Sequence, residues 1–141
     1  MHVYLAGGMR GRDPKVVELL FRQGAAKLRR AGHSVFSPYE HDLETTGEYN
    51  GDSTPLSTVR LLMKQDQIWI CDNANIIALL PGWEKSKGAT AEKALGDALE
   101  DVEVWLPEQW FYDEPSVDGK DMNEHLRLRN QEWDKATGSY R

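Results

Sequence analysis

Two carboxylates stand where helical periodicity expects apolar side chains. Leu56, Val59, Met63, Asp66 and Ile70 recur at three- and four-residue spacing, so a helix there carries Asp66 on its core-facing stripe. Glu92 falls in the same way with Gly88, Ala91, Leu95 and Leu99. A carboxylate on an apolar stripe costs free energy unless it is paired, hydrogen-bonded or put to use, and two of them point to acid–base or nucleophilic work. The plain alternative is that each borders its apolar face or pairs with a nearby Lys or Arg.

Anion binding is the second chemistry on offer. Ser86, Lys87, Gly88 and Thr90 open the helix that carries Glu92, where free N–H groups and the macrodipole favour a phosphate. Gly7, Gly8, Met9, Arg10 and Gly11 follow an apolar run and allow close backbone approach, with Arg10 as a forked donor. Neither segment is a Walker motif, the glycines do not fit the dinucleotide fingerprint, and each reads equally well as a turn. The third chemistry is aromatic. Tyr4 precedes the glycine loop, and Trp69 and Trp83 flank the carboxylate segments, placed to stack on a planar base or simply to fill core. His33 and His41 have no partner at triad or metal spacing and receive no role.

Positioning these residues requires alternating strands and helices. Apolar runs at 2–6, 34–37, 76–80 and 102–106 read as strands, and amphipathic stretches at 14–31, 54–72 and 88–99 read as helices. Asp13 suits an N-cap, Pro14 and Pro55 suit first helical positions, and Gly32 suits a helix end. The expected fold is α/β, a Rossmann-like (flavodoxin-like), mainly parallel sheet of four to five strands flanked by helices. In such sheets ligands bind at the carboxyl ends of the strands, which brings residues 7–13, the segment after Ser37 and residues 81–88 to one face. Residues 38–54, rich in Pro, Gly, Asn, Asp and Ser, read as a long loop. Trp110, Phe111 and Tyr112 form a short aromatic segment, 113–120 a loop, and 121–135 a polar helix with Met122, Leu126, Arg129 and Trp133 on a thin stripe. The expected division is a single α/β domain over 1–112 and a tail over 113–141 that docks on the surface or on another subunit.

Composition sets the outer bounds. The chain has 141 residues, a net charge of −6, 40% hydrophobic residues and one cysteine, which suits one domain that needs no disulfide. No pair or cluster of Cys and His has zinc spacing, and no apolar stretch reaches bilayer length, so the expectation is a cytoplasmic protein with no metal and no membrane partner. The acidic balance, without a basic stripe, argues against a nucleic acid polymer and leaves a small anionic ligand. Trp110, Trp133 and Leu126, in segments with little local core, together with the thin, Ala-rich face of the 88–99 helix, suggest a homo-oligomer, a dimer or tetramer.

The order YLAGGMRG, QDQIW, an apolar strand and SKGATAEKALGDAL resembles the nucleoside 2-deoxyribosyltransferase superfamily over about residues 1–106. It looks most like the branch of 2′-deoxynucleoside 5′-monophosphate N-glycosidases and pyrimidine nucleotide hydrolases. The stretch LLPGWEKSKGATAE is also similar to small phage and bacterial proteins of unassigned function. The resemblance implies that Glu92 is the catalytic glutamate, Asp66 its supporting aspartate and Tyr4 the tyrosine that orients it. It places Arg10 in the glycine loop and Ser86 on the 5′-phosphate, where the transferases have an aspartate that holds the sugar hydroxyl. Gly8 stands in place of the hydrolases' serine, Asn75 in place of a common aspartate, and the insert around Trp83 has no counterpart in the hydrolases. The implied reaction is hydrolysis of the N-glycosidic bond of a (deoxy)nucleoside 5′-monophosphate without metal or cofactor. Glu92 would attack C1′ or stabilise an oxocarbenium-like centre, and Asp66, if burial raises its pKa, would protonate the leaving base or position a water. Base exchange between deoxynucleosides, or a protein that only binds and sequesters a nucleotide, are the alternatives.

Overall fold

The computed structural model describes residues 1–47 and 55–112 of the chain. Its centre is a four-stranded, all-parallel sheet in the order β2-β1-β3-β4. The inner strands β1 (His2–Ala6) and β3 (Ile76–Leu79) are, beyond the exposed His2, apolar runs buried on both faces, as central parallel strands must be. The edge strands β2 (Ser34–Phe36) and β4 (Glu103–Trp105) expose Ser34 and Glu103. This is the expected Rossmann-like α/β class.

Strand alternation divides the core into two layers. Val3 and Leu5 face α1 (Pro14–Arg30), which buries Val17, Leu20, Phe21 and Leu28 against them. Tyr4 and Ala6 face the opposite layer, with Ile70 of α3 (Leu56–Asn73) and Ala89 of α4 (Lys87–Ala98). Tyr4 is therefore aimed at the two helices that carry Asp66 and Glu92. Helix α1 begins as its residues dictate, with the Asp13 carboxylate accepting the Lys15 N–H at 2.9 Å and Pro14 in the first turn. Its last turn holds Lys27, Arg29 and Arg30, which suit the negative end of the helix dipole.

Three expectations need correction. Residues 38–46 form α2 (Pro38–Thr46) instead of a loop. Ser37 accepts the Glu40 N–H at 3.5 Å, Pro38 follows it, and Gly47 closes the helix at φ +84°. Nine residues give only a two-member apolar stripe, Tyr39 and Leu43, too sparse for periodicity to register, although the capping residues announce both ends. The next helix starts at Leu56 with Pro55 as its cap, one position later than expected, while Thr54 lies outside the described residues. Trp110, at the end of the one-turn helix α5 (Pro107–Trp110), is core: it is 4% exposed and its Nε1 donates to the Leu79 carbonyl at 3.0 Å. It cannot be the adhesive surface invoked for subunit contact. The helix expected over 121–135 and the tail as a whole lie outside the described residues. Among the described residues no helix is long and apolar enough to cross a membrane.

Gly96 lets α4 approach the sheet closely. A Cβ there would lie 2.5 Å from Ile77 Cδ1 and 3.1 Å from Val104 Cγ2. Gly96→Ala gains up to about 1 kcal/mol in helix propensity, but crowding a packed core costs about 1–3 kcal/mol. The expected result is a net loss of about 1 kcal/mol in urea denaturation. Unchanged or higher stability would mean that α4 is not held by this contact.

Candidate functional site

Strand β1 leads to a neighbour on one side and β3 lies on the other, so the order reverses between them. At such a switch point the loops after the two strands part and leave a crevice. A cleft of about 310 Å³ opens there, lined by Tyr4, Gly7, Met9 and Arg10 from the β1 side, and by Ser86, Lys87, Gly88, Ala89 and Glu92 of α4 and its cap. Helix α2 adds Pro38 and Asp42, and α3 adds Leu56, Val59, Leu62, Met63 and Asp66.

Each functional side chain has a local reason for its place. After β3 the chain turns through Gly82, at φ +85°, and a short 3₁₀ turn (Trp83–Lys85) into Ser86, the N-cap of α4. Ser86 Oγ accepts the Ala89 N–H at 3.1 Å, which leaves its own proton free to be donated. Glu92 lies one turn further along, on the face shared by buried Ala89 and Gly96 and not by exposed Ala91. Asp66 shares the buried face of α3 with Leu62 and Ile70, whereas Leu56 sits at the cleft rim, 69% exposed.

Tyr4, Glu92 and Asp66 form one network. The Tyr4 hydroxyl donates to Glu92 Oε2 at 2.6 Å, and Asp66 lies within electrostatic reach of both. Oδ1 of Asp66 is buried with no hydrogen-bond partner among the described residues. Burial pushes Glu92 up to about 8; the Tyr4 hydrogen bond opposes this and the charges on Asp66 and Asp42 add to it. Asp66 rises to about 6, chiefly through burial, with His41 and Tyr4 holding it down. Asp42 rises to about 7, again through burial first and then the charge on Asp66. Tyr4 is held well above its ordinary value by burial and the two nearby carboxylates. Three carboxyls in one low-dielectric cleft cannot all ionise together near neutrality, so the cluster holds protons and charge at once.

The network gives stability a testable pH dependence. Acids whose folded pKa is raised stabilise the fold below their unfolded pKa, near 4, and that contribution is lost as pH rises through 6 to 8. Glu40, lowered mainly by its hydrogen bonds from Arg29, acts in the opposite direction, but only below its ordinary range. Tm should therefore fall by several degrees between pH 5 and pH 8.5 in thermal melts, and Glu92→Gln should flatten the slope. A Tm constant over that window would refute the burial of these acids.

The structure joins most of the residues singled out in the sequence. Tyr4, Asp66, Glu92, Arg10, Met9, Gly7, Ser86 and Gly88 all line the cleft. Gly8 is buried and lies off its wall. A Cβ on Gly7 would sit 3.0 Å from Leu80 and 3.3 Å from Phe21, so its lack of a side chain serves packing. Trp69 is not on the cleft wall: it packs on Phe36, with ring centroids 4.9 Å apart, and on Tyr4 at 6.2 Å, as a core residue. Trp83 packs against the same layer with Lys93 Nζ 5.8 Å from its ring, also off the wall. Neither is placed to stack on a base in this cleft. Sequence reasoning missed Asp42 and gave His41 no role, yet α2 brings both within electrostatic reach of Asp66; only the Ser-Pro start of that helix could have signalled them. Among the described residues no group of three or more His, Cys, Asp or Glu is arranged to hold a metal ion.

Fold and site together define a Rossmann-like α/β protein with a carboxyl-lined cleft at the switch point of its sheet. The chain belongs to the family described as Domain of unknown function (DUF4406), whose model matches residues 1–102 and so includes every residue of the cleft wall. No curated protein and no solved structure matches it.

Proposed function

We propose that this protein hydrolyses the N-glycosidic bond of a (deoxy)nucleoside 5′-monophosphate, releasing the free base and a sugar 5-phosphate. The observation that carries the reading is the Tyr4–Glu92 hydrogen bond, with Asp66 in the same cleft and Glu92 on a helix whose start can bind an anion. Arg10, Ser86 and the first N–H groups of α4 take the phosphate, and the sugar then lies over Glu92. Glu92 attacks C1′ as the bond to the base breaks, a protonated carboxyl gives its proton to the base, and water later cleaves the glycosyl ester.

Glu92 must lose its proton before it attacks. Asp66, in the same cleft and within electrostatic reach of Glu92, is the group proposed to take that proton. Burial raises Glu92 the further of the two, so Glu92 holds its proton the more firmly, and positive charge growing at C1′ favours its release. The stronger effect of burial on Glu92 favours a second reading, with Glu92 as the proton donor and Asp66 as the group on C1′. Mass spectrometry of the quenched protein separates them by locating the sugar adduct.

The direct test is a panel of ribo- and deoxynucleoside monophosphates incubated with the full chain and followed by chromatography. Free base and sugar phosphate are the expected products. A new nucleoside formed only when a second base is supplied would favour base exchange, and binding without turnover would favour a sequestering protein.

A further inference from the structure

Helix α3 buries one face and leaves the other bare. Its buried stripe is Leu62, Asp66 and Ile70, and on the side away from it Arg60, Leu61, Lys64, Ile68, Cys71 and Asp72 are all exposed. Among the described residues six large apolar side chains stand in solvent, and three of them, Leu56, Leu61 and Ile68, belong to this one helix. A shallow groove of about 500 Å³ runs along the bare face. Met63 lines both that groove and the cleft, so an occupant of the groove would back the cleft's α3 wall. The charges select the occupant. Arg60 and Lys64 stand in the first half of α3 and Asp72 next to its last residue, with no acid in the first turn and no base in the last. That order opposes the helix dipole, which favours acids at the start and bases at the end. None of the three makes an ion pair among the described residues. A second α3 laid antiparallel corrects both faults, because its acidic end comes against the basic end of the first. We propose that this face of α3 pairs with the same face of a second copy of the chain, across a two-fold axis at the level of Asp66.

One register serves the whole face. With the axis at Asp66, Arg60 lies level with the partner's Asp72, Leu61 with the partner's Cys71, and Lys64 with the partner's Ile68, each pair occurring twice by symmetry. Packed helices lie about 8–10 Å apart, a gap that an arginine side chain spans to reach a carboxylate. The Lys64 stem covers the partner's Ile68 while its ammonium stays in water. The chain's own tail is a poorer occupant. Tyr112, where the described residues end, packs with the α1 cluster, and α3 packs on the opposite face of the sheet. The subunit contact expected of Trp110 thus passes to α3, whose apolar side chains stand outside the core.

Sedimentation of the full chain tests the pairing. The wild type should approach twice the 16.0 kDa chain mass as its concentration rises and return toward that mass on dilution. Asp72→Arg sets like charges against each other and should weaken association by about tenfold or more. Adding Arg60→Asp exchanges the two charges and should restore it. These variants change exposed residues, so the fold should persist. In Leu61→Cys the new thiol lies level with the partner's Cys71, and mild oxidation should give a covalent dimer whose 61–71 link peptide mapping identifies; the same change at Arg22 on α1 should give no link to Cys71. A monomer at every concentration, the result expected if the tail or an unrelated protein covers α3, would overturn the proposal. So would a dimer indifferent to Asp72→Arg, a double variant that associates no better than the single one, or an oxidised Leu61→Cys protein without the 61–71 link.

Discussion

Replacing Glu92 by Gln should reduce base release from a nucleoside 5′-monophosphate by a factor of a thousand or more, while the protein remains folded. The expected loss is about 4 kcal/mol of transition-state stabilisation, because an amide neither attacks C1′ nor balances the positive charge that develops there. The fold should tolerate the change. Gln fills the same volume, its amide oxygen accepts the Tyr4 proton that Glu92 Oε2 accepts now, and a buried ionisable group disappears. Nucleotide binding, followed by calorimetry, should therefore change little, since the residues proposed to hold the phosphate lie elsewhere on the wall. Turnover above a tenth of the wild-type rate would sink the assignment of Glu92.

The second large effect concerns the phosphate. The cleft offers an anion the Ser86 hydroxyl, the N–H groups at the start of a twelve-residue helix, and Arg10, whose Nε is buried without a hydrogen-bond partner among the described residues. A dianionic phosphate gains charge-assisted hydrogen bonds there that a neutral 5′-hydroxyl cannot make. If that binding energy is used in the transition state, kcat/KM for a monophosphate should exceed that for the matching nucleoside by at least about a hundredfold, on the order of 3 kcal/mol. Arg10→Ala should remove most of the difference by slowing the monophosphate. Equal use of the two substrates by the wild type would favour base exchange, and Ser86→Asp should then improve nucleoside turnover.

The sequence by itself determined the class of fold and the placing of its main elements. Short apolar runs separated by capped amphipathic stretches allow few arrangements other than a covered parallel sheet, and the caps at Asp13 and Ser86 work locally. The same periodicity exposed Asp66 and Glu92, because a charge on a core stripe breaks a pattern spanning several turns. Nothing comparable marked Asp42. It lies in nine residues with two apolar positions, and only the packing of α2 against its neighbours turns it toward the cleft. Tertiary structure also settled the aromatics. Composition cannot tell a stacking tryptophan from a core one, and the burial of Trp110 and the packing of Trp69 on Phe36 depend on segments distant in the chain. The Tyr4–Glu92 contact joins residues 88 apart and exists because β1 and α4 meet across the sheet. The protonation of the three carboxyls follows from their shared burial, a property of the assembled cleft that no residue carries alone.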